Sequence, residues 1–201
     1  MISSGASAVS NSDVKKSLAA IVRVGAEYRV DFPIGHTIYR VANSAMSDVH
    51  VSRDGQRLAF SSYATGEIET IAMHGEFLTD LGAQGIPSWS SRGQLAYPAK
   101  TPPGGVVVVR DPNNPAATSH LIHGLPIPQG QVEDDATVDW SPDGRRLLVT
   151  RNDVFVDYAY SIWVENADGT GARLLRTRAS DALWSPDGQS IVFNDGPDIW
   201  S

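Results

Sequence analysis

Three histidines (His50, His120 and His123) and two acidic segments are the residues whose types could hold a metal ion. His120 and His123 are three residues apart. Zinc ligands with that spacing normally lie on one face of a helix, whereas a strand turns them to opposite sides. The acidic run at 133–135, with Asp153 and Asp157, lacks the alternate spacing and the glycine bend of a calcium loop. We therefore expect no metal site and no bound cofactor.

Residues for nucleophilic catalysis do not form a known sequence pattern. The chain contains neither Gly-x-Ser-x-Gly nor His-Glu-x-x-His, and it has no cysteine for thiolate chemistry or disulfides. A Gly-Thr-Gly stretch at 169–171 opens like a dinucleotide-binding fingerprint but lacks the third glycine. We expect no catalytic residues in this chain, so that any catalytic domain would lie outside it.

Charge and apolar run length argue against nucleic-acid binding and against a membrane-spanning segment. The 201 residues carry a net charge of −7, whereas a protein that binds nucleic acid presents a basic surface to the phosphates. The longest apolar run, residues 18–22, is far shorter than the roughly 20 residues of a membrane span. The length suits one domain or part of a larger one.

One short pattern occurs four times and predicts hairpin turns. It reads Val-Ser-Arg-Asp-Gly at 51–55, Trp-Ser-Ser-Arg-Gly at 89–93, and Trp-Ser-Pro-Asp-Gly at 140–144 and 184–188. The final glycines lie 38, 51 and 44 residues apart, which fits the period of a four-stranded propeller blade. Asp bonds to the backbone that follows it and Gly accepts positive φ, so we predict positive φ at Gly144 and Gly188.

An apolar triplet follows each turn and predicts a buried strand. The triplets are Leu58-Ala59-Phe60, Leu95-Ala96-Tyr97, Leu147-Leu148-Val149 and Ile191-Val192-Phe193. Because consecutive positions are apolar, each strand should be covered on both faces. A third strand, a second turn and a more polar fourth strand complete the unit. We predict an all-β fold of four-stranded antiparallel sheets, in which Trp89, Trp140 and Trp184 are core residues and not a stacking platform for sugars or bases.

Trp-Ser-Pro-Asp-Gly, the apolar triplet, Ile-Trp and a second Asp-Gly together resemble the repeat of TolB-like β-propellers, a type of WD40-like repeat. The resemblance covers about residues 46–201 and is strongest at 137–201. It implies one domain with blades at 8–45, 46–84, 85–136, 137–180 and 181–201, the first degenerate and the last truncated. TolB-like propellers have six blades and the chain holds about 4.5. We expect an incomplete propeller that is completed by missing blades or associates with itself.

The resemblance also carries expectations about function. It implies a non-catalytic scaffold that binds a protein or peptide partner through its loops and central funnel, in a bacterial protein of the periplasm. Two alternatives stay open: the propeller of a prolyl-oligopeptidase-like peptidase, and a propeller that follows a bacterial serine/threonine kinase domain. For the kinase, the stretch at 28–39 resembles one found in kinase-attached propellers.

Three aromatic residues are the candidate partner-binding residues. Phe155, Tyr158 and Tyr160 lie in or directly after an irregular segment at 152–159. Aromatic side chains bury a large area at low entropic cost, which is why they are frequent in binding loops. We predict that these three residues contact the partner. The alternative is that Phe155 and Tyr160 pack over the edge of a blade.

Overall fold

The protein is described by a computed structural model that covers residues 9–11, 18–64, 66–73, 79–81, 85–101, 104–112, 114, 120–122, 137–153, 159–195 and 198–200. Within these residues all the regular secondary structure is β-strand, and neighbouring strands pair in antiparallel fashion. None of them forms a helix that is long and apolar enough to cross a membrane. The predicted all-β, antiparallel architecture is confirmed.

The chain divides into two compact units, Met1–Trp89 and Ser90–Ser201. The first unit contains sheet 1 (order β1-β2-β3-β4) and sheet 2 (order β5-β6-β7-β8). Their strands are β1 (Val9–Asn11), β2 (Leu18–Val24), β3 (Glu27–Asp31), β4 (Thr37–Ala42), β5 (Met46–Val51), β6 (Arg57–Ser62), β7 (Glu67–Ala72) and β8 (Thr79–Asp80).

Three further sheets follow. Sheet 3 has the order β12-β11-β10-β9, sheet 4 the order β13-β14-β15-β16 and sheet 5 the order β17-β18-β19. Their strands are β9 (Ser88–Trp89), β10 (Leu95–Thr101), β11 (Gly104–Arg110), β12 (His120–Ile122), β13 (Thr137–Trp140), β14 (Arg146–Asp153), β15 (Ala159–Asn166), β16 (Arg173–Thr177), β17 (Ser180–Trp184), β18 (Ile191–Asp195) and β19 (Asp198–Trp200).

The turn between the first and second strands uses the same hydrogen bonds in sheets 2, 4 and 5. In sheet 4, the Ser141 hydroxyl donates to the Asp143 carboxylate at 2.6 Å and accepts from the Arg146 N–H at 2.9 Å. The same carboxylate accepts from the Arg145 N–H at 3.0 Å. Ser52 with Asp54 in sheet 2, and Ser185 with Asp187 in sheet 5, repeat these bonds.

Glycine completes the same turn. Gly144 and Gly188 have φ of 64° and 69°, a region that is open to glycine and costs other residues energy because of their Cβ. The prediction of positive φ at both positions is therefore confirmed. In the copy at 89–93 Arg92 replaces the aspartate, and the Ser90 hydroxyl alone accepts from the Gln94 N–H at 3.0 Å.

Apolar triplets on the second strands form the core of each unit. Leu58 and Phe60 lie fully buried between sheets 1 and 2, with Ile21, Val30 and Met46. In the second unit, Leu147 and Val149 on one face of β14 pack with residues of sheet 3, while Leu148 on the other face packs with residues of sheet 5. Burial on both faces explains why polar and apolar residues do not alternate in these strands.

Val192 differs from that prediction. It stands in the middle of the fourth triplet, yet 38% of its surface is exposed, and Leu183 opposite it on β17 is also exposed. Ile191 and Phe193, which lie on the other face, pack against sheet 4. Within the described residues of the second unit, no further sheet covers the side of β18 on which Val192 lies. The triplet therefore predicts the strand but not its cover.

Candidate functional site

The first strands of sheets 2 and 5 each contain a Ser-Asp pair at a β-bulge. The register of β5 against β6 shifts between Ser47 and His50, and that of β17 against β18 shifts between Ser180 and Leu183. A bulge adds an unpaired residue, re-aims a side chain and occurs often beside functional sites. The two pairs belong to different units.

In the first unit, Asp48 has φ of 54°. A non-glycine residue in this region is uncommon and costs on the order of 1 kcal/mol. The Ser47 hydroxyl donates to the Asp48 carboxylate at 2.6 Å. The serine hydroxyl thus bonds directly to the carboxylate, whereas in a Ser-His-Asp triad the imidazole lies between these two groups. Burial lowers the pKa of His50 below its usual 6.5, and the negative charge of Asp48 opposes that shift.

An exposed aromatic side chain lies at the same end of sheet 2. Tyr63 follows directly after β6, and its N–H donates to the carbonyl of Ala45, the residue before β5, at 2.9 Å. The side chain of Tyr63 is 68% exposed. The first unit thus places an exposed tyrosine and the Ser47-Asp48 bulge at the end where the second strand leads into the third.

In the second unit, Asp181 has φ of 51°. Its carboxylate accepts a hydrogen bond from the Ser180 hydroxyl at 2.8 Å and one from the Asn194 side-chain amide at 2.9 Å. Asp181 is an exposed residue. The two donors therefore hold an accessible carboxylate in a defined orientation at the start of β17.

Tyr160, one of the predicted contact residues, lies next to this bulge. The Ala179 N–H donates to the Tyr160 carbonyl at 3.2 Å, so that the second residue of β15 adjoins the start of β17. The Tyr160 side chain is half-buried. Beside it, Arg176 forms an ion pair with Asp195. Phe155 and Tyr158 lie outside the described residues, and the predicted contact role of all three stays a prediction.

Carboxylates at the opposite end of the sheets serve the turns. Hydrogen bonds from Ser141 and from the Arg145 N–H hold the pKa of Asp143 below its usual value, and bonds from Ser185 and the Gln189 N–H do the same for Asp187. Both aspartates are thus stabilised in their ionised form by the backbone that they organise. Their repeated position follows from turn structure and gives no reason to assign them a ligand.

A regular first strand in the second unit shows that the bulge is not required by the fold. In β13, Thr137, Val138, Asp139 and Trp140 pair in unbroken register with β14. Within the second unit, the bulge and the positive φ at Asp181 are therefore features of sheet 5 that sheet 4 does without. Strain that the scaffold does not need is a reason to look for a function at that residue.

The tryptophans and the candidate metal ligands of the sequence analysis give no evidence of a ligand site within the described residues. Trp140 is only 5% exposed, which fits the predicted core role, whereas Trp89 and Trp184 are half-buried. The Arg146 guanidinium covers the Trp184 ring at 4.5 Å from its centroid. His123 and the acidic run at 133–135 lie outside the described residues, within which no three His, Asp or Glu side chains are placed to share a metal ion.

Sequence reasoning missed the Ser-Asp bulges, although a signal for them exists. Asp48 and Asp181 each follow a serine and each lie six residues before the turn aspartate, Asp54 or Asp187. The other two repeats lack this pair at the same distance. A comparison of the repeats over their first strands, in addition to their turns, would have singled out both pairs.

Comparisons with known proteins bear on the fold. No family model and no curated protein matches the chain. TolB from Acinetobacter baumannii matches with a TM-score of 0.62 and 14% identity over 95% of this chain, which spans about half (47%) of that protein. A prolyl endopeptidase matches with a TM-score of 0.60 and 12% identity over 94% of this chain and 32% of its own. A structure of the nidogen/laminin complex matches with a TM-score of 0.61 and 10% identity over 93% of this chain and 70% of its own.

Structural similarity at such low sequence identity shows the fold alone. The chain has a TolB-like propeller fold, as its repeat predicts, and similar folds occur in an enzyme and in a protein complex.

Proposed function

Since the chain shares the fold of TolB-like β-propellers, we propose that it is a non-catalytic scaffold that binds a protein or peptide partner. Its sheets act as blades, and within a unit the partner contacts the end at which second strands lead into third strands. In the second unit this surface centres on Tyr160 and Asp181. The bacterial, periplasmic setting implied by the resemblance belongs to the same proposal.

One observation carries the proposal: the Ser180-Asp181 bulge adjoins Tyr160 through the Ala179–Tyr160 hydrogen bond. Asp181 keeps a strained backbone that the neighbouring sheet does without, and its carboxylate is exposed and oriented by two donors. A tyrosine beside an oriented acceptor gives contact area together with a hydrogen bond to a partner N–H, the combination common in protein interfaces.

A second candidate function rests on the match to a prolyl endopeptidase. In that case the chain is the propeller part of a larger enzyme and supplies no catalytic residue. The same surface would then contact the substrate or the catalytic domain. The two candidates differ in whether a catalytic domain accompanies the chain in the natural protein, which extending the reading frame at both ends would decide.

The test uses peptides selected from a random display library on the purified chain. We expect selected peptides to bind Tyr160→Ala and Asp181→Asn at least tenfold more weakly than the unmodified chain in calorimetry, because a central aromatic or an oriented acceptor typically contributes more than 1 kcal/mol. Asp181→Asn keeps a residue that tolerates positive φ, so that a loss of binding is separable from a loss of folding.

Arg173→Ala supplies the control, since Arg173 is exposed at the far end of β16. It should leave the affinity unchanged. Equal binding by all four proteins would contradict the assignment of the surface. Turnover of a peptide or nucleotide that is lost on mutating a residue of this chain would contradict the non-catalytic function.

A further inference from the structure

Glu165 is a buried carboxyl group in the second unit. It lies near the end of β15 and is 4% exposed. Within the described residues, no group donates a hydrogen bond to its Oε2 atom. Buried carboxyl groups normally have such partners, because an unpaired one loses its hydration without compensation.

Its strand places Glu165 on the face that packs toward sheet 3. Side chains alternate along a strand, so Glu165 shares a face of β15 with Trp163, and Ala167 follows in the turn directly after the strand. Those two residues pack against an apolar cluster contributed by sheets 3 and 4. Leu147, directly opposite Glu165 on β14, belongs to the same cluster. The carboxyl group is thus inserted into an apolar layer between two sheets.

Charged groups on the neighbouring strands are directed elsewhere. On β14, Arg146 covers the Trp184 ring, and Arg151 lies on the face of Leu147 but four residues away, about 13 Å along the strand. On β13, Asp139 accepts from the Trp184 N–H. On β11, the Arg110 side chain bonds to Tyr97.

The remaining charged groups near this layer belong to turns and to the outer strand. Arg92, Arg145 and Asp168 are exposed in turns, and Arg173 is exposed on β16. Desolvation by burial is the cause of the shift that raises the pKa of Glu165 to about 7.

A comparison with sheet 2 shows that the scaffold accommodates an apolar residue here. Leu58 on β6 pairs with Ile71 on β7, and Leu147 on β14 pairs with Glu165 on β15. Ile71 is buried in the core of the first unit. Glu165 therefore occupies a position where a hydrophobic side chain serves the packing without any charge.

We propose that Glu165 is a proton-dependent switch of the packing between sheets 3 and 4. With its proton, the carboxyl group remains within the apolar layer. When the proton is released to solvent, the carboxylate requires water, and the layer around β15 opens to admit it. The change occurs near neutral pH, since a glutamate with an unshifted pKa is already ionised well below that range.

Two measurements on the full chain test this switch. Side-chain carboxyl NMR should give Glu165 a midpoint near pH 7, against about 4.3 for an ordinary glutamate. Hydrogen exchange of the β15 amides should accelerate in the unmodified chain relative to Glu165→Gln as the pH rises, with the ratio increasing up to about 100-fold between pH 5 and pH 8.

Two variants complete the test. Glu165→Ile reproduces the residue found in sheet 2, and the ratio of its exchange rates to those of Glu165→Gln should not change with pH, so that a folding defect specific to the amide is recognised. Glu27→Gln, which changes a carboxyl group paired with Arg40 in the first unit, should behave as the unmodified chain. A Glu165 midpoint below pH 5, or parallel exchange profiles for the unmodified chain and Glu165→Gln, would overturn the proposal.

Discussion

The Trp184 N–H donates a hydrogen bond to the Asp139 carboxylate at 3.0 Å, between residues 45 positions apart. The bond joins the first strand of sheet 5 to the first strand of sheet 4. Burial raises the pKa of Asp139, and the bonds from Trp184 and Trp140 oppose that shift. A carboxylate is therefore retained at a half-buried position because it satisfies a backbone donor of the next sheet.

Removing the Asp139 carboxylate should destabilise the contact between sheets 4 and 5. We expect Asp139→Ala to lower the free energy of unfolding by about 1–2 kcal/mol, since the Trp184 N–H loses its acceptor at a half-buried site. Urea denaturation followed by tryptophan fluorescence measures the change. Asp139→Asn keeps an acceptor oxygen and should lose less than half as much; equal losses would show that the hydrogen bond is not the cause.

Removing a turn hydroxyl should cost stability in proportion to its burial. Ser141 is 1% exposed and makes the same bonds as the half-buried Ser185. We expect Ser141→Ala to lower the free energy of unfolding by about 1–3 kcal/mol, because the Arg146 N–H loses its acceptor away from water. Ser185→Ala should lose clearly less in the same urea experiment, and the reverse order would contradict the explanation.

The turn carboxylate predicts a response to acid. Hydrogen bonds hold the pKa of Asp143 below its ordinary 3.8 in the folded chain, so the unfolded chain binds this proton first as the pH falls. The stabilisation from the ionised group is complete above pH 3.8 and is lost as the pH falls through the lower folded value. Asp143→Asn keeps the acceptor without the charge. As the pH is lowered from 5 to 2, the free energy of unfolding of Asp143→Asn should rise relative to that of the unmodified chain. A difference between the two free energies that does not change with pH would exclude this linkage.

Alanine at the turn glycines should give a graded series. Gly93, Gly144 and Gly188 all have positive φ, so each substitution carries a backbone cost of about 1 kcal/mol. A Cβ at Gly93 meets nothing within 4 Å, whereas at Gly188 it meets the Pro142 ring at 3.3 Å and at Gly144 the Ser91 hydroxyl at 2.8 Å. Thermal unfolding should therefore rank the losses Gly144→Ala, Gly188→Ala, Gly93→Ala from largest to smallest. A largest loss at Gly93 would contradict the steric part of the explanation.

Local features of the fold follow from the sequence because local residues determine them. The turns at Gly144 and Gly188 depend on residues within five positions, and the apolar triplets identify the second strands without knowledge of their neighbours. Burial of the middle residue is a different property. Leu148 and Val192 have the same place in their repeats, but one is 1% exposed and the other 38%. Only the sheets packed beside them account for the difference.

The candidate site could be predicted only in part, also for a physical reason. The sequence indicates Tyr160 as an aromatic residue beside an irregular segment. It does not show that Asp181 takes positive φ, because the bulge arises from how β17 pairs with β18. Glu165 is equally hidden: a glutamate in a strand is expected to face solvent, and its burial depends on the neighbouring sheet.

The repeated Ser-x-Asp-Gly turn also bears on the order in which the chain folds. Its hydrogen bonds close within five residues, so the hairpin of first and second strands loses little chain entropy as it forms and can do so soon after its residues leave the ribosome. The bond between Asp139 and Trp184 spans 45 residues and must wait for the following sheet. We therefore expect hairpins to form first, in order of synthesis, and the completed sheet 4 to act as the template on which sheet 5 docks.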